Sequence, residues 1–175
     1  MRRKTVCGFL LLLSLGCIND TEVAQQRELT YFDIKGYFEG EVSRLSKIKP
    51  SIHKSVEVND SLERKQLRIT DWRKELSIFS DADINRASWK GLFSVNKQQG
   101  SETYVSDDDK IPVKEIKITF DQKHLKSLLI IIKNSNSLYT SQDSLFYYPD
   151  SLYRVKKVQH IKLLKEKHYE IKGRF

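Results

Sequence analysis

Hydrophobic and polar positions divide the chain into a helical half and a strand-rich half. From Leu29, apolar residues recur at intervals of three and four (Tyr31, Ile34, Tyr37/Phe38, Val42, Leu45, Ile48), with Glu39, Arg44, Lys47 and Lys49 largely on the other side. This spacing predicts an amphipathic helix over 29–49, stopped at Pro50 because a proline disfavours helical backbone in the residue before it. Its apolar stripe is read as core-facing. Residues 54–70 alternate instead: Val56 and Val58 precede the turn pair Asn59-Asp60, and Leu67 and Ile69 follow, which predicts a hairpin. Thr70-Asp71 offers an N-cap to a helix over 71–80 carrying Trp72, Leu76 and Phe79. Asp83 offers the start of a second short piece through Trp89, ended by Gly91. Both tryptophans are read as core anchors.

Residues 92–96 read as a strand and 98–109 as a polar loop; from Val113 the pattern is strand-rich to the end. Ile116, Ile118 and Phe120 alternate with Lys117 and Thr119, and a turn at Gln122-Lys123 would set Phe120 opposite Leu125 and Ile116 opposite Leu129. The run Leu128-Leu129-Ile130-Ile131-Ile132 is apolar in both phases, the mark of a central strand. A two-residue turn at Pro149-Asp150 would place Phe146 opposite Tyr153, and a last loop at 165–167 would place Leu163 opposite Tyr169 and Ile161 opposite Ile171. The expected fold class is α+β: N-terminal amphipathic helices packed on a C-terminal antiparallel β-meander of about five strands, with 29–175 as a single domain.

Composition narrows the class. The chain has 175 residues, 39% hydrophobic and 31% charged, enough for one modest core. Its two Cys exclude a disulfide scaffold and a Cys-only zinc site. No apolar run reaches the roughly 18–20 residues that span a bilayer. The net charge is +8 over the whole chain and falls to +5 without residues 1–16, a mild bias, so no nucleic-acid partner is expected.

The N-terminus carries the sharpest signal. Arg2-Arg3-Lys4 precedes the apolar stretch from Val6 to Leu15, then Gly16-Cys17, the layout of a secretory signal peptide. Leu13-Ser14-Leu15-Gly16-Cys17 resembles the lipobox of bacterial lipoproteins. That resemblance implies a signal peptide over 1–16, cleavage before Cys17, lipidation of its thiol, acylation of the new N-terminus by a fatty acid such as palmitate, and a membrane partner reached through the acylated residue. Residues 17–28 are then the lipidated Cys and a polar tether. An ordinary secretion signal with a Cys near its end shares this layout. Removing residues 1–16, with three cations and no acid, leaves 28 basic and 23 acidic residues, a net charge of +5.

Candidate chemistry is sparse. Asp81-Ala82-Asp83-Ile84-Asn85 begins like a calcium-binding EF-hand loop, but Arg86 and Leu92 stand where that loop needs Gly and Glu. Asp107-Asp108-Asp109 is read as a solvated loop, and His53, His124, His160 and His168 match no zinc spacing. No nucleophile elbow or Gly-rich phosphate loop occurs, so no catalytic residue, metal or cofactor is expected. The one anomaly is the aromatic cluster Tyr139, Phe146, Tyr147, Tyr148, Tyr153 and Tyr169, read either as sheet packing or as a binding face for a lipid, peptide or protein.

Tyr37-Phe38, Asp71-Trp72-Arg73-Lys74-Glu75-Leu76 and Tyr148-Pro149-Asp150-Ser151-Leu152-Tyr153 resemble a family of small outer-membrane lipoproteins of Gram-negative bacteria. The resemblance implies a location in the envelope, lipid-anchored to the outer membrane on its periplasmic or cell-surface face, and no transferable activity. The order of elements also resembles the carrier and receptor half-barrels of lipoprotein sorting. Three functions stand as expectations: a non-catalytic anchored domain that binds an envelope protein or component; an acyl-binding half-barrel with a cavity between sheet and helices lined by Leu129, Ile131, Phe146 and Tyr153; and a hydrolase of unrecognised type.

Overall fold

The computed structural model describes residues 29–175; the expected signal peptide, Cys17 and the tether lie outside the described residues. Helix α1 is Ile34–Ile48, followed by β1 (Ser51–Val58) and β2 (Ser61–Arg68). Two one-turn helices, α2 (Trp72–Glu75) and α3 (Ser77–Ser80), and a 3-10 turn at Ala87–Trp89 lead to β3 (Ser94–Gln98), β4 (Ser101–Val105), β5 (Val113–Asp121), β6 (His124–Ser135), β7 (Tyr139–Tyr148), β8 (Leu152–Ile161) and β9 (Lys167–Arg174).

All nine strands join one antiparallel sheet in the order β2-β1-β9-β8-β7-β6-β5-β4-β3. This corrects the expected architecture of several helices on a sheet of about five strands: the sheet dominates, and among the described residues one helix is long. Three departures account for the difference. The hairpin β1–β2 pairs with β9, so the N-terminal strands extend the C-terminal sheet. The polar stretch 98–109 contains β4, turned back from β3 at Gly100, whose φ of 78° suits a residue without Cβ. The expected helices also fragment. Helix 71–80 breaks at Leu76 (φ −99°, ψ 5°), next to a Ser77 hydroxyl that donates to the Lys74 carbonyl. At 83–89 the Asp83 side chain accepts from the Asn85 amide, which folds an Asx turn in place of a helix.

The long helix begins later than its periodicity suggests. Asp33 caps it by accepting from the Gly36 amide at 2.8 Å, and a Cβ on Gly36 would lie 2.1 Å from the Asp33 carboxylate. Residues before it bend at Thr30 and Tyr31, held by Asn85, whose Oδ1 accepts from the Thr30 and Tyr31 amides and whose Nδ2 donates to the Tyr31 and Phe32 carbonyls. The helix ends at Lys49, left-handed at φ 47°, just before Pro50.

Strand alternation gives the sheet two unlike faces. The inner face presents Ile116, Ile118, Leu128, Ile130, Leu145, Tyr147 and Tyr153, all buried. Phe38 of α1 stacks on Phe79 of α3 at 5.0 Å and meets Tyr147 edge-on at 5.0 Å, joining both helices to the sheet. Trp72 stacks on Phe175 at 5.8 Å, whereas Trp89 is only half-buried, with Arg86 over its ring at 4.5 Å. Registers differ from expectation where loops do. Phe120 faces Leu125, but a bulge at Thr119/Phe120 sets Ile116 opposite Ile130. A three-residue loop with Asp150 at φ 56° sets Tyr147, not Phe146, opposite Tyr153. A longer last loop sets Val155 opposite Ile171.

Candidate functional site

The six aromatics singled out in the sequence do not share a face. Tyr147 and Tyr153 point inward and are fully buried. Phe146 and Tyr148 point to the opposite, outer face, half-buried and exposed respectively. Tyr139 and Tyr169 share the inner phase near the strand ends, and both are half-buried. Leu129, Ile131 and Phe146 likewise lie on the outer face, away from the helices, so they do not line a space between sheet and helices.

The two inner tyrosines are locks. Tyr147 Oη donates to Glu41, which also accepts two bonds at 2.8 Å from the Arg44 guanidinium; Arg44 reaches Asp150 at 2.6 Å. Tyr153 Oη donates to Glu75 at 2.6 Å, and Lys54 Nζ donates to both oxygens of the same carboxylate at 2.6 and 2.8 Å. Burial first, and the adjacent carboxylate second, push both phenols well above the usual tyrosine range. With its oxygens taken by a cation fork and a phenol, Glu41 is committed to fastening α1 to the sheet.

The described histidines and acidic runs take separate places. Asp108 accepts from its own loop at the Lys110 amide, and His168 contacts Glu166 at 3.0 Å. Among the described residues, no three His, Cys, Asp or Glu side chains group as metal ligands.

The outer face carries the most distinctive chemistry. No helix or loop packs on it among the described residues, and its side chains are half-buried or exposed. At the centre Leu129, Ile131 and Phe146 form an apolar strip. Toward β2 the strip meets cations in adjacent cross-strand places. Arg154 faces Lys172; Lys172 faces Ser55, and Ser55 faces Arg64. One row on, Leu152 faces Arg174, Arg174 faces His53, and His53 faces Gln66. Directly opposed like charges destabilise a sheet, so this grouping works against the fold. Glu170 relieves part of it, 3.5 Å from Arg154 and 3.3 Å from Lys156. Arg64, Lys172 and Arg174 form no ion pair among the described residues. The Nε of Arg154 is shut off from water, and the Glu170 carboxylate 3.5 Å away makes an ion pair with it but no hydrogen bond. A shallow depression of about 620 Å³ lies here, walled by His53, Ser55, Arg64, Gln66, Lys172 and Arg174. Donors on strands about 4.8 Å apart suit several anionic oxygens at once.

Sequence reasoning missed this cluster. Its only trace is the spacing of two in Arg154/Lys156 and Lys172/Arg174, which sets each pair on one face of its strand but does not say which strands are neighbours. No family model, no curated protein and no solved structure matches this chain.

Proposed function

We propose that this chain is a lipid-anchored lipoprotein of the bacterial envelope, held at the outer membrane through Cys17, with a non-catalytic binding role. The anchor is supported by the basic and apolar segments that precede Gly16-Cys17. The binding role is carried by one observation: the outer face of the sheet is uncovered among the described residues and joins an apolar strip to a group of cations, of which Arg64, Lys172 and Arg174 form no ion pair there. A buried face would serve packing; an open one with unmatched charge is built to meet another surface. No helix among the described residues is long and apolar enough to cross a membrane, so membrane retention in this reading rests on the acyl chains.

Labelled palmitate should enter the wild-type protein, and Cys17→Ser should abolish the labelling. Undiminished labelling of the variant, or a mature chain starting elsewhere than Cys17, refutes the anchor. Extraction of the native protein in detergent, followed by mass spectrometry of co-purifying proteins and lipids, reads the binding role; loss of the co-purifying species on neutralising the outer-face cations is the expected result.

A further inference from the structure

We infer that the outer face of the sheet is a membrane-lying surface, on which Arg64, Arg154, Lys172 and Arg174 engage the phosphates of an anionic phospholipid bilayer and the strip at Leu129 and Phe146 meets its interface. This deepens the proposed function and rests on its reading of the outer face as the working one.

Charge complementarity is the first argument. Four cations lie within two cross-strand rows of β2, β1, β9 and β8, and Glu170 is the single acid paired into them. The cost of placing Arg154 opposite Lys172 is recovered when a surface dense in phosphate lies against them. The groove between α1 and α3 lacks such an excess: there Glu39, Asp81 and Asp83 are mixed with Lys35, Arg73 and Arg86. A bilayer also fits the shape better than a compact ligand. The depression is shallow, and the cations continue along a broad surface into half-buried apolar side chains, the combination that peripheral membrane surfaces use.

Reach is the second argument. The described chain begins at Leu29, beside the clamp of Asn85 and the Tyr104 hydroxyl on β4, near the edge opposite β2. Nine strands at about 4.8 Å spacing make the sheet roughly 38 Å wide. The eleven residues 18–28 allow at most roughly 40 Å between Cys17 and Leu29. An acyl group in the bilayer therefore lets the whole width of the sheet rest on the same membrane.

The test uses the mature chain, residues 17–175, carrying Cys17→Ser, which has neither the apolar signal segment nor an acyl group to mask the effect, in flotation with vesicles of phosphatidylcholine alone or with phosphatidylglycerol added. Expected is partition into the anionic vesicles only, weakened by salt. The triple variant Arg64→Gln/Lys172→Gln/Arg174→Gln should bind roughly 100-fold more weakly, from the typical contribution of each cation near an anionic surface. Single variants, which perturb the fold least, should each lower binding about 5-fold. A control of equal charge change, Lys35→Gln/Lys47→Gln/Lys90→Gln, should bind nearly as the parent does. Equal partition into neutral vesicles, an unchanged triple variant, an equal loss in the control, or binding to a DNA duplex without binding to vesicles overturns the inference. Palmitate labelling of the wild type is read separately, so a failed anchor and a failed membrane face give different results.

Discussion

The buried tyrosine locks predict a fold that fails in alkali. Tyr147 and Tyr153 are 0% and 1% exposed, each donating its phenolic hydrogen to a carboxylate. Their folded-state pKa values are raised, by burial first and by Glu41 or Glu75 second. The unfolded chain releases these protons near pH 10, the ordinary tyrosine value, while the folded chain keeps them. Unfolding is then coupled to proton loss, so the contribution of these groups is fully present below about pH 10 and falls as the pH rises. Each tyrosine adds a slope of about 1.4 kcal/mol per pH unit, and the two together about 2.7. Against a typical domain stability of roughly 5–15 kcal/mol, two or three pH units above 10 remove much of the fold. Urea unfolding followed by tryptophan fluorescence from pH 8 to about 12 should show a falling midpoint whose onset matches tyrosine ionisation. Tyr147→Phe should lower stability at neutral pH by about 1.5–3 kcal/mol, the usual effect of losing a bond to a charged group. It should also flatten the alkaline slope by about 1.4 kcal/mol per pH unit. A midpoint level through pH 11, or an unchanged slope in Tyr147→Phe, refutes the reasoning.

Other expectations concern packing. A Cβ on Gly173 would lie 2.2 Å from the Tyr153 ring, so Gly173→Ala should displace that ring from Glu75 and lose about 1–3 kcal/mol in urea melts; no loss would mean the ring does not lie over Gly173. Phe38→Ala removes the ring shared by Phe79 and Tyr147 and should cost about 3–5 kcal/mol, read from the thermal midpoint. Asn85→Ala strips partners from the Thr30 and Tyr31 amides, and hydrogen exchange should accelerate there while the amides of β6 and β7 keep their protection.

Local pattern was readable in this sequence, and long-range partnership was not. The hairpin at Asn59-Asp60 lies as its alternation indicates, with Val58 opposite Ser61. Pro50 marks the end of α1, and Asp71 caps α2 through the Lys74 amide at 2.9 Å. These features arise from residues a few positions apart. The pairing of Val56 with Ile171 joins residues more than a hundred positions apart, and period-2 alternation carries no address for its partner. Strand β4 escaped notice because, of its five residues, only Tyr104 is buried, which leaves no alternation to see. The split of Phe146 from Tyr147 is legible once they are placed on one strand, since neighbours there face opposite ways. The basic cluster needed the registers of four strands before its members met, so composition alone showed only a mild surplus of cations.

Strand β9, which begins at Lys167, is the keystone between β8 and the hairpin that precedes everything else in the sheet. A chain emerging N-terminus first therefore makes β1 and β2 long before the strand they must lie against exists. Until the last stretch appears, that early ribbon has only itself for company, and a lone two-stranded ribbon is marginal in water. Closure waits for β9 and then joins distant segments, which is slow.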